Sequence, residues 1–212
     1  MNRRIASTIL MTACLGACSF GAGPAKVTKT SYTLEPAVAG TRAPARGPAN
    51  ASPTLRIDSV DAPVWLNSQE LYYQLDYGDS DRLSAYSESQ WVAPPPRLLE
   101  HLLQDGVGRS SEWRAVIGPE SGVPADYSLR VDLLAFKQEF RNPHQSDGVL
   151  KVEATLTREN PQSVVAQHTC SYRVPAARGD AQGGVDALTK ASHRFITDVN
   201  RWLQQARPPQ GG

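Results

Sequence analysis

The sequence predicts an α+β fold: a single domain in which a mainly antiparallel sheet packs against a short middle helix and a long C-terminal helix. Three observations carry this. Apolar residues alternate with polar ones in Tyr127, Leu129, Val131 and Leu133, and again in Leu150, Val152, Ala154 and Leu156, the period of a strand with one buried face. A leucine stripe at 98, 99, 102 and 103 has helical spacing. So do Val185, Leu188, Ser192, Phe195, Val199 and Trp202 near the end of the chain.

Taken from the N-terminus, the chain opens on Arg3 and Arg4, an uncharged run from Ile5 to Ala17, and Leu15-Gly16-Ala17-Cys18. This is the order of a signal peptide (1–17) ending in a lipobox, and the apolar run is too short to span a bilayer. The Cys18 thiol is the expected lipidation site. Cys14 is the rival, but Met11-Thr12-Ala13 fits the lipobox less well. Ser19 follows, where an Asp would retain a lipoprotein in the inner membrane, so the expected location is the outer membrane with the body facing the periplasm.

Residues 18–30 read as the lipidated N-terminus and tether. Pro24, Pro36, Pro44, Pro48 and Pro53 break regular structure up to the folded body, except at the β-prone island Ser31-Tyr32-Thr33-Leu34, which is placed to add a strand. The expected domain is 31–205, and 206–212, with Pro208-Pro209, is a frayed tail. Within the body, Leu55, Ile57 and Val60 predict a strand ending near Asp61-Ala62-Pro63, and Glu70–Leu75 a second that pairs with it as a hairpin. Pro94–Pro96 start the leucine helix, which Gly106 is placed to cap. Asn142, Pro143 and Asp147-Gly148 supply a loop between the two alternating strands. A third strand follows from Ser163 to Val174, with Val164, Ala166, His168, Cys170, Tyr172 and Val174 on one face. Gly183-Gly184 is a break before the last helix.

Charge and cysteine content narrow the partners. The chain has 22 Lys+Arg and 21 Asp+Glu. Loss of Arg3 and Arg4 leaves 20 against 21, a net charge of −1, which speaks against nucleic acid or an anionic lipid surface as the body's partner. Of three cysteines, Cys14 leaves with the signal and Cys18 takes lipid, so Cys170 has no intrachain partner.

No catalytic constellation, metal-ligand spacing or cofactor motif emerges. Ser121 in Gly118-Pro119-Glu120-Ser121-Gly122 is one place off nucleophile-elbow spacing and reads as a turn. His168 and Cys170 share a strand face among apolar neighbours, and no third group orients a base. His101, His144 and His193 are scattered. A softer signal is aromatic: Trp65, Tyr72, Tyr73, Tyr77, Tyr86 and Trp91 crowd one segment of a chain that is 7% aromatic. Trp65, Tyr72, Tyr73 and Trp91 are the expected partner-contact residues, with burial on both sides of the strand as the alternative.

Several segments together resemble a known family. Tyr32-Thr33-Leu34, Leu55 to Pro63, Trp65-Leu66-Asn67 and Leu71-Tyr72-Tyr73 come first, then Arg82-Leu83-Ser84-Ala85-Tyr86 and Gln90-Trp91-Val92-Ala93-Pro94. Tyr127-Ser128-Leu129-Arg130-Val131, Phe136, Phe140 and Trp202-Leu203 complete the series. Their order resembles the ABC-type transport auxiliary lipoprotein family, over about 31–205. Gln74 departs from it, since many members carry arginine there. The resemblance implies a docking accessory, not a pump or an enzyme. Its implied partners are a mammalian-cell-entry (MCE) protein and the associated ABC transporter subunits of a lipid transport system, with membrane contact through the lipid anchor. An assembly or binding lipoprotein of another outer-membrane pathway, a lipid-binding carrier and a hydrolase are the alternatives. If the roughly 12 residues between Cys18 and Ser31 form flexible coil, the body lies within about 20 Å of the membrane.

Overall fold

The computed structural model describes residues 28–35, 52–79, 81–110 and 112–206. The signal peptide, Cys18 and residues 207–212 lie outside them. In chain order the elements are β1 Thr30–Tyr32, β2 Thr54–Ile57, a 3-10 turn Val64–Asn67, β3 Glu70–Leu75, β4 Leu83–Trp91, α1 Pro95–Gly108, β5 Ala115–Ile117, β6 Tyr127–Asn142, β7 Gln145–Glu159, β8 Gln162–Pro175 and α2 Ala181–Ala206. The α+β class with a short middle and a long terminal helix is therefore present.

The sheet is built on β6, β7 and β8, paired antiparallel along almost their whole length. Their inner faces bury Leu129, Val131, Leu133 and Phe136 of β6, Leu150, Val152, Ala154 and Leu156 of β7, and Cys170 and Val174 of β8. The other edge of β6 is shared. β2 runs parallel to its start, Leu55 opposite Tyr127, and β3 parallel to its end, Leu75 opposite Phe140. Asp61 bridges to Asp132 between them. The expected β2–β3 hairpin does not form: the two strands lie end to end along one neighbour and in one direction. The 3-10 turn that buries Leu66 carries the chain out and back without reversing it, and the 16-residue β6 is long enough to serve both. β5 extends the sheet beyond β2 in parallel, while β4 lies antiparallel outside β3 and β1 parallel outside β4. The β-prone island is thus largely β1, an edge strand, and Leu34 just beyond it is buried.

Both helices cover one face. α1 begins with Pro95 and Pro96, whose missing N–H groups cost nothing in the first turn, and buries Leu98, Leu99, Leu102 and Leu103. Gly106 is not its cap: the helix runs on to Gly108. A side chain at Gly106 would collide with Ile196 of α2, so this glycine lets the two helices touch, and Asn200 Nδ2 donates to its carbonyl at 3.3 Å. Asp147-Gly148 likewise is no turn. The reversal is Asn142–Gln145, with the His144 N–H donating to Asn142 Oδ1 at 3.0 Å, and Asp147 and Gly148 belong to β7. A Cβ on Gly148 would lie 2.7 Å from the Leu188 backbone nitrogen, so this glycine seats α2 on the sheet.

Gly183 and Gly184 do not break α2; they lie in its first turn. Asp180 caps them, its Oδ1 accepting from the Gly183 N–H at 2.8 Å and its carbonyl from the Gly184 N–H at 3.0 Å. Asp180→Ala is expected to lower stability by about 1 kcal/mol, read as a shift of the urea midpoint at constant slope.

Candidate interaction surface

The residues weighed for catalysis are held in structural roles. The Ser121 N–H donates to the Gly118 carbonyl at 3.1 Å, and its Oγ accepts from the Val123 N–H at 3.3 Å, so it closes a turn. His168 stacks on Trp202 of α2, ring centroids 5.7 Å apart at 21°. Cys170 beside it is buried. Burial pushes its thiol pKa up, a hydrogen bond with Tyr172 acting against this and the Asp198 charge with it, so the reactive thiolate is disfavoured. The Tyr172 hydroxyl donates to Asp198 Oδ2 at 2.9 Å. This strand face is a seam between β8 and α2. Among the described residues no three His, Cys, Asp or Glu side chains are grouped to hold a metal.

The four expected contact aromatics divide. Trp91 is 1% exposed and packs on Phe136 at 5.4 Å: it supplies core, not contact surface. Tyr73 alternates with Leu71 onto the inner face, where it packs on Tyr86 at 4.8 Å and Phe140 at 6.0 Å. The Tyr86 hydroxyl donates to Gln138 Oε1 at 2.9 Å, and burial, then the neighbouring Tyr73 and Asp180, push its pKa up. Tyr72 alternates to the outer face with Gln74. It meets Trp65 edge to face at 5.4 Å and Ser68 Oγ through its hydroxyl at 3.2 Å. Trp65 and Tyr72 are half-buried, beside Val64 at 88% exposure, and so retain surface for a partner.

The outer sheet face also carries a charged cluster that no local pattern announced. Register places Lys137, Glu139 and Arg141 of β6 on the face shared with Asp147 of β7 and Arg173 of β8. Lys137 bonds Glu139 at 3.0 Å and also donates to Gln74 Oε1. Arg173 reaches both Glu139 and Asp147, the latter at 3.4 Å. Arg141 Nε bonds Asp147 Oδ2 at 2.9 Å. The carboxylates are sunk, with side-chain exposures of 10% for Glu139 and 2% for Asp147, whereas Arg141 and Arg173 are 51% and 49% exposed. Their signal in the sequence is only a period-two run of charge at 137, 139 and 141; Arg173 lies 34 residues beyond Glu139.

Burial pushes the Glu139 pKa up, but hydrogen bonds and charge from Lys137 and Arg173 outweigh it and leave the carboxyl below its ordinary value. The stabilisation from ionised Glu139 is then complete above the unfolded-state value of about 4.3 and is lost as pH falls through the lower folded-state value. Glu139→Gln is expected to lower the melting temperature at neutral pH and to reduce its fall on acidification, read by thermal unfolding across a pH series.

Two grooves meet at His193 on α2. One, of about 220 Å³, lies between α1 and α2 against Leu102, Gly106 and Ile196. The other, of about 530 Å³, lies between residues 31–35 and α2 against Tyr32 and Val185. A His193 ring nitrogen sits 2.6 Å from the Glu35 carbonyl oxygen, pinning the N-terminal segment to α2. Charged Asp105 and Arg109 line the first groove and Asp186 and Lys190 the second, among linings that are otherwise mainly apolar.

Comparison with known proteins adds a family. A family model described as the ABC-type transport auxiliary lipoprotein component matches residues 32–200. No curated protein matches the sequence. Among solved structures, a DUF330 protein from Xanthomonas campestris is 19% identical, with TM-score 0.67 over 85% of this chain and 94% of that one. An uncharacterised protein is 15% identical, with TM-score 0.63 over 83% and 99%. A hypothetical protein from Chlamydia trachomatis is 8% identical, with TM-score 0.51 over 74% and 98%. At these identities the likeness is one of fold.

Proposed function

The chain belongs to the ABC-type transport auxiliary lipoprotein family, and we propose that it is a non-catalytic docking component of an ABC/MCE-type lipid transport system. In this reading Cys18 carries the lipid, the anchor sits in the outer membrane, and the body faces the periplasm to meet an MCE-domain protein and its ABC transporter subunits. The observation that carries it is the family match, which spans nearly the whole folded body.

The attachment of the N-terminal segment supports it. β1 is zipped to β4, Thr30 opposite Ser89 and Tyr32 opposite Trp91. Lys29 pairs with Glu70 at 3.0 Å, and the Val92 N–H donates to the Tyr32 carbonyl at 2.7 Å. A chain leaving the membrane at residue 18 is thus fixed to the body by residue 29. If the roughly 10 residues between Cys18 and Lys29 behave as flexible coil, their mean reach is near 18 Å, short enough to keep one end of the body toward the bilayer. The half-exposed Trp65 and Tyr72 are candidate contact residues in this reading, and the body's helices and sheet hold them on a rigid frame.

The test is in-cell crosslinking of the tagged lipoprotein, purification from the envelope, and mass spectrometry of what is captured. An MCE protein or ABC subunits in the eluate, lost with Cys18→Ala, is the expected result. Capture of a barrel protein alone overturns it in favour of an outer-membrane assembly factor, and co-purified phospholipid without transporter subunits in favour of a carrier.

A further inference from the structure

We propose that Arg141 and Arg173, held by the buried carboxylate of Asp147, form a carboxylate-binding clamp that receives an acidic, extended segment of a partner protein. This rests on the docking reading above and names the surface and the partner's chemistry.

Three features of the outer sheet face carry it. Lys137, Arg141 and Arg173 against Glu139 and Asp147 leave the cluster with one cation in excess, and the negative groups are the buried ones. The solvent-facing layer is therefore positive although the chain as a whole is near neutral. The guanidiniums are also only half used. Arg141 spends Nε and one Nη on Asp147, and Arg173 spends its two Nη atoms on Asp147 and Glu139. Each keeps further N–H donors on a half-exposed group that its inward bonds have already oriented, so little side-chain freedom remains to be lost when an anion binds.

The third feature is the neighbouring edge. Among the described residues β8 pairs only with β7, which leaves a 14-residue edge strand for another chain to extend. From 162 to 172 it carries no Asp, Glu, Lys or Arg; Arg173 is its one such charge. A segment laid along this edge therefore meets its charge signal at the clamp. A bilayer is the poorer occupant. Beyond the clamp the same face alternates in sign, with Asp132 and Glu153 beside Arg130 and Lys151, an arrangement that suits one or two carboxylates of a peptide at the clamp better than a broad anionic surface.

The test is fluorescence anisotropy of labelled hexaglutamate with the full-length lipidated protein in neutral detergent, against hexaglutamine and phosphatidylglycerol vesicles. Hexaglutamate is expected to bind and hexaglutamine not. Arg141→Gln and Arg173→Gln should each weaken binding roughly tenfold, the scale of one lost charge-assisted contact. Arg173→Lys should fall between, keeping charge without the fork. Each single change leaves Asp147 one arginine, so folding is retained and is checked by melting temperature. Arg130→Gln, on the same face but held by Asp61 at 2.8 Å and Asp132 at 3.3 Å, should bind as the unmodified chain does. The idea is overturned if hexaglutamate fails to bind, if the three arginine-to-glutamine variants bind alike, or if only the vesicles are bound. In the envelope capture, Arg141→Gln or Arg173→Gln retaining transporter subunits at full level also overturns it while leaving the docking reading standing. Failure of the unmodified chain to capture them removes that reading, and the peptide titration still decides the clamp.

Discussion

Trp91→Ala is expected to destabilise the fold by about 3–5 kcal/mol, the range for truncating a large buried aromatic. Trp91 ends β4 at the point where three elements meet. Its ring packs on Phe136 of β6, its backbone N–H donates to the Gln69 carbonyl at 2.7 Å, and it is the register partner of Tyr32 in β1. Pro94 and α1 follow at once. Removing the indole opens a cavity under the edge that holds the N-terminal segment, so fraying of β1 should accompany the loss. Urea denaturation measures the first effect and hydrogen exchange at Tyr32 the second. Trp65→Ala is the matched control: its ring is half-buried and its aromatic neighbour is Tyr72, so the cost should be less than half as large. Equal costs would contradict the division of these tryptophans into core and surface.

That division marks what could be read from sequence. Where a strand or helix buries one face, the pattern is written locally: the alternating residues of β6, β7 and β8 and the apolar stripes of α1 and α2 fall where periodicity placed them, except Val164, which a bulge opposite Leu156 and Thr157 turns outward to 68% exposure while Val165 packs on the core. Crowding of aromatics does not say which of them point inward, and Trp91 and Trp65 look alike until β6 is laid beside them. The parallel placement of β2 and β3 along β6 was hidden for a related reason. Pairing across more than 50 residues leaves no trace in either strand, whereas a short connection between two strands suggests a hairpin.

The glycines were misleading in a consistent way. In the sequence Gly106, Gly148 and Gly183-Gly184 suggest a cap, a turn and a break, the commonest uses of a residue free in φ. In the fold their missing Cβ matters instead. Ile196 fills the space at Gly106, the α2 backbone that at Gly148, and Gln138 that at Gly184. Three of the four lie where α2 meets the rest of the protein, and the fourth, Gly183, packs beside the chain that leads into it, against the Arg178 backbone. A glycine in a run of otherwise good strand or helix formers is a sign of close approach, but the sequence does not name what approaches. The charged cluster was invisible on the same ground, since its members reach one face only through the register of three strands.

Asp147→Ala is expected to cost about 1.5–3 kcal/mol, the scale for losing hydrogen bonds to a charged group whose own carboxylate is buried but whose arginine partners are half-exposed. Its side chain is 2% exposed and takes bonds from Arg141 and Arg173, so alanine leaves two half-exposed guanidiniums close together without the carboxylate that held them. Glu139, held also by Lys137, cannot neutralise both. Arg173→Gln in the Asp147→Ala background should therefore cost less than the sum of the single changes, because it removes one of the charges left unpaired. Salt separates this from a surface effect: an exposed pair weakens as ionic strength rises, whereas a buried one is screened much less. Urea denaturation of the two single variants and the double at low and high salt measures all of it. A loss below about 1 kcal/mol for Asp147→Ala, in the range of exposed pairs, would mean that solvent reaches the cluster freely. The arginines would then not be oriented in advance, and the clamp would lose its physical basis along with its stability effect.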